Sequence, residues 1–318
     1  MNSLVTIVIP TLNGADTIPA TLLSVLAQDY PNLDILISDN GSSDDVLGLA
    51  KSLAQGDPRV RYRRNEKTVP IHEHYNQCVA AARGEFYVSL DDDDVVSANY
   101  ISELVGVAER HPGMNAVLAK NVFIDEHGTV VKQFAVPDAE ALDSHEVICD
   151  WLYGRTQFFG SISTFMARTS VVRHFGGYQN FARGQNIDNL LFLQCALGNR
   201  VGFASKAVFM YRTYAGSYGH PDLAQLARST RAFGRHLARD PRTVEALAAL
   251  PSDQRKEIIE GVRSMGIADI IYQSKLDRER LSLSKIRRLL SVPFEPFFYR
   301  VVCAYYVQRF RARASLFL

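Results

Sequence analysis

Short apolar runs alternate with helical patterns through the first part of the chain. Leu4 to Ile9, Leu33 to Ser38, Val60 to Arg63 and Phe86 to Leu90 are brief and rich in β-branched or aromatic residues, which predicts strands. Between them Thr17 to Gln28, Asp45 to Gln55 and Ile71 to Arg83 carry apolar residues at helical spacing, for example Leu22, Val25 and Leu26. Strand-helix alternation implies a parallel sheet with helices on both faces. Runs such as VTIVI and DILIS, apolar almost throughout, fit strands buried on both sides.

From about Asn115 the rhythm changes. A hairpin is expected, with strands near Ala116 to Ile124 and Thr129 to Phe134 joined through Asp125-Glu126-His127-Gly128. A helix around Ser144 to Tyr153, a strand around Ile162 to Ala167, a helix beginning near Asp188 and a strand near Gly202 to Arg212 follow. Beyond Pro221 the pattern is helix after helix, punctuated by Pro241, Pro251, Pro293 and Pro296. The expected organisation is an α/β domain over residues 1–220 and a helical region over 221–318.

In an open parallel sheet, ligands bind at the carboxyl ends of the strands. Three loops therefore carry the candidate chemistry: Pro10-Thr11-Leu12-Asn13-Gly14, Asp39-Asn40-Gly41-Ser42-Ser43-Asp44-Asp45 and Asp91-Asp92-Asp93-Asp94. Four consecutive aspartates repel one another unless solvent screens them or a hard cation neutralises them. Oxygen ligands of this kind suit Mg²⁺ or Mn²⁺, which complete their shell with water and substrate phosphate. The competing reading is an acidic cap on a helix expected from about Ser97. Position at the shared strand edge favours the cation. The Asp39 loop is good turn chemistry in its own right, and with Thr11 and Asn13 it offers hydrogen-bonding groups suited to a nucleobase or ribose.

Composition narrows the classes. The chain has 318 residues, 47% hydrophobic and 22% charged, which excludes a disordered or disulfide-stapled protein. Its 35 Lys and Arg against 34 Asp and Glu give a net charge of +1, without a global field for nucleic acid, so no nucleic-acid partner is expected. Cys78, Cys149, Cys195 and Cys303 lie far apart, without a CxxC pair, so the expectation is a reducing cytoplasm. Neither a signal-peptide pattern nor an uninterrupted apolar span long enough for a bilayer is read in the sequence.

Taken in order, VTIVIPTLNG, ILISDNGSSDD, ARGEFYVSLDDDD and Gly176-Gly177-Tyr178 followed by DNLLFL from Asp188 resemble the inverting nucleotide-sugar-dependent glycosyltransferases of the GT-A fold, family 2 type. The resemblance covers roughly residues 4 to 217. It implies a Rossmann-like sheet and a nucleotide-sugar donor whose base or sugar contacts Thr11, Asn13 and Asp39. It implies Asp91 and Asp93 as an Asp-x-Asp motif, with Asp93 the leading Mn²⁺ or Mg²⁺ ligand, Asp91 nearer the ribose, and Asp92 a neighbour or secondary ligand. Asp188 falls where such enzymes place the general base for direct displacement, which inverts the anomeric carbon. Tyr211 to Ser217 resembles a loop that closes over the donor diphosphate, with Arg212 as a phosphate partner, Tyr214 where a His is common, and His220 as a further metal ligand.

The chain departs from that family pattern at two points: Ile187 stands where a second acidic residue usually precedes the base, and Asn40 where Asp is frequent. Asp188 can equally cap a helix over Asn189 to Leu197. Arg83 and Gly84 admit phosphate binding or, for Gly84, a helix cap. From Lys275 to Leu318 ten Lys or Arg oppose three Asp or Glu among many aromatics, a local net of +7 against −6 for the rest. This region fits peripheral contact with the inner face of the cytoplasmic membrane, where a glycan or lipid-linked acceptor would lie, or packing on the catalytic domain or another subunit of a homo-oligomer. The competing functions are a sugar-phosphate nucleotidyltransferase, although PTLNGADTIP lacks the basic glycine-rich loop expected of one, and a degenerate nucleotide-binding scaffold.

Overall fold

The computed structural model describes residues 3–134, 136–153, 162–181, 186–214 and 223–276. Those residues fall into two compact units, the first within Met1–Trp151, Thr156–Asn180 and Ile187–Ser217, the second within Leu152–Arg155, Phe181–Asn186 and Tyr218–Leu318.

The first unit is built on one mixed sheet of ten strands. Its first half is a parallel α/β wind: β1 (Val5–Thr11), α1 (Ile18–Leu26), β2 (Leu33–Asp39), α2 (Val46–Ala54), β3 (Val60–Arg64), α3 (Ile71–Ala81) and β4 (Phe86–Ser89). After it come β5 (Val95–Val96), α4 (Tyr100–Arg110), β6 (Ala116–Ile124), β7 (Val130–Gln133), β8 (Ala141–Asp143), α5 (Ser144–Leu152), a 3₁₀ turn at Ile162–Thr164, β9 (Phe165–Arg168), α6 (Thr169–His174), α7 (Ile187–Ala196) and β10 (Arg200–Arg212). The strand order is β3-β2-β1-β4-β9-β6-β10-β5, with β7 on β6 and β8 on β10.

Every residue of β1 and β2 is buried, as an apolar run covered on both faces requires. Val5, Ile7, Ile9, Ile35 and Ile37 share a core with Leu22 of α1, Val46 of α2 and Leu104 of α4. The opposite face carries Ser38, whose hydroxyl lies 2.9 Å from Nε2 of His74 on α3. Because β9 is antiparallel to both β4 and β6, and β10 is parallel to β6, the carboxyl ends of β1, β2, β4, β6 and β10 open at one edge.

Several expectations change. The helix after the four aspartates begins at Tyr100 behind Asn99, and β5 intervenes, so the aspartates cap no helix. Helix α7 begins at Ile187, so Asp188 sits in its first turn and is not its cap. Helix α3 ends at Ala82 in extended conformation, so Gly84 is not a helix cap. A Cβ on Gly84 would stand 2.5 Å from the Thr6 nitrogen and 2.6 Å from the Leu4 oxygen, and that close approach is what requires glycine. Arg83 precedes β4, at the edge of the sheet away from the loops.

In the second unit α8 (Leu223–Arg239) packs with α9 (Pro241–Ala248) and α10 (Ser252–Leu276). Asp240 caps α9, accepting from Thr243 N at 2.9 Å, and Pro241 starts the helix where its missing N–H costs nothing. No helix among the described residues is long and apolar enough to cross a membrane. His220 and residues 277–318 lie outside the described residues.

Candidate active site

Parallel register sets Thr11 beside Asp39 and Val8 beside Ser89, so the loops after β1 and β2 start level with one another and the loop after β4 leaves the sheet three residues earlier. The first two are knitted together. Asn40 N donates to Thr11 O at 2.9 Å, Asn13 N to Ser42 Oγ at 2.8 Å, and Ser43 N to Asn13 Oδ1 at 2.8 Å. Asn13 and Gly41 take left-handed backbone, φ 57° and 80°, which Asn and Gly tolerate best.

Asp39 is completely buried. Its Oδ1 accepts from Ser42 N at 2.8 Å and Ser42 Oγ at 2.5 Å, and its Oδ2 lies 3.0 Å from Arg64. Both Asp39 and Asn13 thus serve the loop itself. Asn40 explains its own departure from aspartate: its amide donates to Val69 O at 2.9 Å while its oxygen accepts from Asn65 Nδ2 at 2.9 Å and Val69 N at 3.1 Å. A carboxylate could not make the donation.

In the third loop each aspartate receives a donor from a different element. Tyr75 of α3 donates to Asp91 Oδ1 at 2.6 Å, Thr11 of β1 to Asp92 Oδ2, Tyr214 to Asp93 Oδ2 at 2.9 Å, and the backbone N of Arg212 to Asp94 Oδ1 at 2.9 Å. A Cβ on Gly14 would collide with the Thr11–Asp92 pair, so the first loop approaches the third only with glycine there.

These four partners are neutral, and the electrostatics follow. Burial, opposed by the Tyr75 bond and assisted by Asp93, Asp92 and Asp188, pushes Asp91 up to about 7. Burial likewise lifts Asp92 to about 6, and Asp94 well above the carboxylate range. Asp94 Oδ2 is buried with no hydrogen-bond partner. Asp34, at the other end of β2, shows what a structural carboxylate looks like. Burial raises it, yet Thr6 at 2.8 Å and Arg61 at 2.8 Å hold it below its ordinary value.

Asp188 comes from α7, after Asn186 in left-handed backbone (φ 64°) turns the chain into the helix. Its Oδ1 accepts from Asn189 N at 2.8 Å, and burial raises it to about 6 against that bond. Its charge makes the smallest of the contributions that raise Asp91. Ile187 beside it is buried apolar core.

Part of the Arg212 guanidinium, a phosphate partner by the resemblance, is engaged within the chain. Its Nε donates to Asp93 O at 3.0 Å, and one terminal nitrogen donates to Glu126 O at 3.0 Å and Asp125 O at 3.3 Å. The guanidinium therefore ties the acidic loop to the β6–β7 turn. Sequence reasoning gave no role to Tyr75, which has no distinguishing local pattern, or to the Tyr214 contact, although Tyr214 was singled out by its position.

The chemistry of the donor set can be tested against the implied cation. The groups are carboxylate oxygens, several are unpaired by any positive charge, and one buried oxygen has no partner, which fits a hard divalent ion. Asp91, Asp92, Asp93 and Asp94 are the residues that could hold it.

Comparison with known proteins agrees with this architecture. The model of the family described as Glycosyl transferase family 2 matches residues 6–179. A GalNAc(5)-diNAcBac-PP-undecaprenol beta-1,3-glucosyltransferase of Campylobacter jejuni is 31% identical over 131 residues, 41% of each chain. The chain spans about two fifths or less of the length of the first curated relatives it matches. The crystal structure of S. aureus TarS 1-349 with UDP-GlcNAc superposes with a TM-score of 0.60 over 91% of this chain and 90% of that one, at 15% identity. The mannosyltransferase PcManGT from Pyrobaculum calidifontis, in complex with GDP-Man and Mn²⁺, gives 0.57 over 96% and 86%, at 16% identity. The shared fold is the helix-flanked GT-A sheet, and the family model covers more than half of the sequence. The chain belongs to glycosyl transferase family 2.

Proposed function

We propose that this chain is a metal-dependent inverting glycosyltransferase that moves a sugar from a nucleoside-diphosphate donor to an acceptor hydroxyl, with Asp188 as general base. The observation that carries the reading is the loop after β4, where four consecutive aspartates meet only neutral hydrogen-bond donors and Asp94 Oδ2 is buried without a partner. Asp188, in the first turn of α7, is the acid we assign to the acceptor side of that cluster. Family membership sets aside the nucleotidyltransferase alternative.

A divalent cation held by Asp93, with Asp91 and Asp92 beside it, would neutralise charge on the donor diphosphate and make it a better leaving group. Tyr75 holds Asp91 by one oxygen and leaves the other for ribose or cation. Thr11 orients Asp92 in the same way. Asn13 and Asp39 set the shape of the base-binding loop through its backbone, and Arg212 braces Asp93 through its carbonyl. Asp188, with one oxygen fixed by Asn189 N, has the other available to take the acceptor proton as the hydroxyl oxygen attacks the anomeric carbon. A base near 6 is matched to neutral pH: it is ionised before the reaction and basic enough to assist it. Direct attack needs no carboxylate nucleophile. The acceptor we infer is a lipid-linked glycan at the inner face of the cytoplasmic membrane, in line with the undecaprenol diphosphate acceptor in the name of the Campylobacter relative.

The test is Asp188→Asn. Transfer from the preferred nucleotide sugar should fall by roughly 10² to 10⁴, while Mn²⁺-dependent binding of the nucleoside diphosphate stays within a few-fold of the parent. Unchanged turnover would remove the base assignment.

A further inference from the structure

Helix α8 carries a feature that sugar transfer does not use. It holds Arg228, Arg231, Arg235 and Arg239, and no acidic residue between Leu223 and Arg239. At 100° per residue, these four positions fall within an arc of about 80°, and the stripe from Arg228 to Arg239 runs about 16 Å along the helix at 1.5 Å per residue.

The other face of α8 is committed to the second unit, where Leu226, Ala227, Phe233 and Leu237 are buried. Arg228, Arg235 and Arg239 are exposed, and none of these three has an ion pair or hydrogen bond among the described residues. Arg231 is half-buried on the same arc. A surface helix ordinarily answers such charges with acids one turn away, and α8 itself contains no acid. Gly234 and Ala238, exposed beside the stripe, add no bulk that would hold a flat surface off the guanidinium groups.

We propose that this arginine stripe docks the protein on an anionic lipid bilayer. The exposed guanidinium groups of Arg228, Arg235 and Arg239, in line on a convex helix, complement a plane of phosphate headgroups. The stripe offers no aromatic side chain on which a nucleobase could stack. It also presents no large apolar side chain between the arginines, so the contact is electrostatic adsorption and not insertion. The inference goes beyond the transfer chemistry and stands or falls separately from the Asp188 assignment.

The experiment is sedimentation of the full chain with vesicles of phosphatidylcholine alone or with 30% phosphatidylglycerol, for the parent and for Arg228→Gln/Arg235→Gln/Arg239→Gln. The parent should bind the anionic vesicles at 0.1 M salt, release them at 0.5 M as screening shortens, and ignore the neutral ones. At about 1 kcal/mol per basic residue near the surface, the triple exchange should weaken partitioning roughly 100-fold and each single exchange about 5-fold. Thermal stability and transfer to a soluble acceptor should be unchanged. Equal partitioning of parent and triple variant, equal binding to neutral vesicles, or a preference for duplex RNA over the vesicles would overturn the proposal.

Discussion

At Asn40 the side chain must give one hydrogen bond to Val69 O and take two, from Asn65 and Val69 N, which is why an amide stands where a carboxylate was the familiar alternative. Such reasons are invisible in sequence because the partners are distant. The acidic run itself was legible, as was Asp188, but the donor that meets each aspartate was not. Nothing local marks Tyr75 as the partner of Asp91, or Arg212 as a brace for the β6–β7 turn. Two residues yield pH predictions. Asp188, lifted to about 6 by burial, would as the proposed base work only when ionised, so kcat/KM should fall with an acid limb at pH 6 or below, since a bound cation draws the pKa down. A limb above pH 7 would contradict it. His74 is buried, with Nε2 against Ser38, and burial together with Arg63 lowers it to about 4. Its folded pKa lies below the ordinary 6.5, so its neutral form supports the fold above pH 6.5. That support drains away as pH falls from 6.5 to 4, by ~3 kcal/mol in all. The raised carboxylates contribute the opposite slope over the same range, so the measurement is a difference: urea midpoints of parent and His74→Gln, followed from pH 7 to 4.5 in EDTA. The parent should lose more stability on acidification than the variant.

Among the elements, β1, β2 and β4 could be read directly because strands covered on both faces show unbroken apolar runs. The two-residue β5 and three-residue β8 could not, since so short a segment has no period to detect. Yet β5 matters: it separates the aspartates from α4 and so removes the capping explanation for them. Gly84 shows the same limit from the other side. It looks like a helix end, and its role is a crossing of backbones between Leu4–Thr6 and Phe86. Because the crowding atoms belong to backbone, they cannot swing away. Gly84→Ala should cost about 1–3 kcal/mol in urea unfolding, lowering activity only through the folded fraction. A variant as stable as the parent would mean the strands can part there without penalty.

For the whole molecule, the six mutually parallel strands open their carboxyl ends at one edge, and the order of motifs in the sequence identifies that edge. Residues 277–318, with most of the C-terminal basic excess, lie outside the described residues, so the membrane or subunit contact expected there stands on composition alone. The account's central claim is that the carboxylates after β4 form one site for a cation shared with a diphosphate. Its most direct test is calorimetric titration of UDP, GDP, dTDP and CDP into the protein with Mn²⁺ and with EDTA, for the parent and for Asp93→Asn. One nucleotide should bind the parent only with Mn²⁺, and Asp93→Asn should weaken that binding at least tenfold. Nucleotide binding that is equally tight in EDTA, or insensitive to Asp93→Asn, would contradict it.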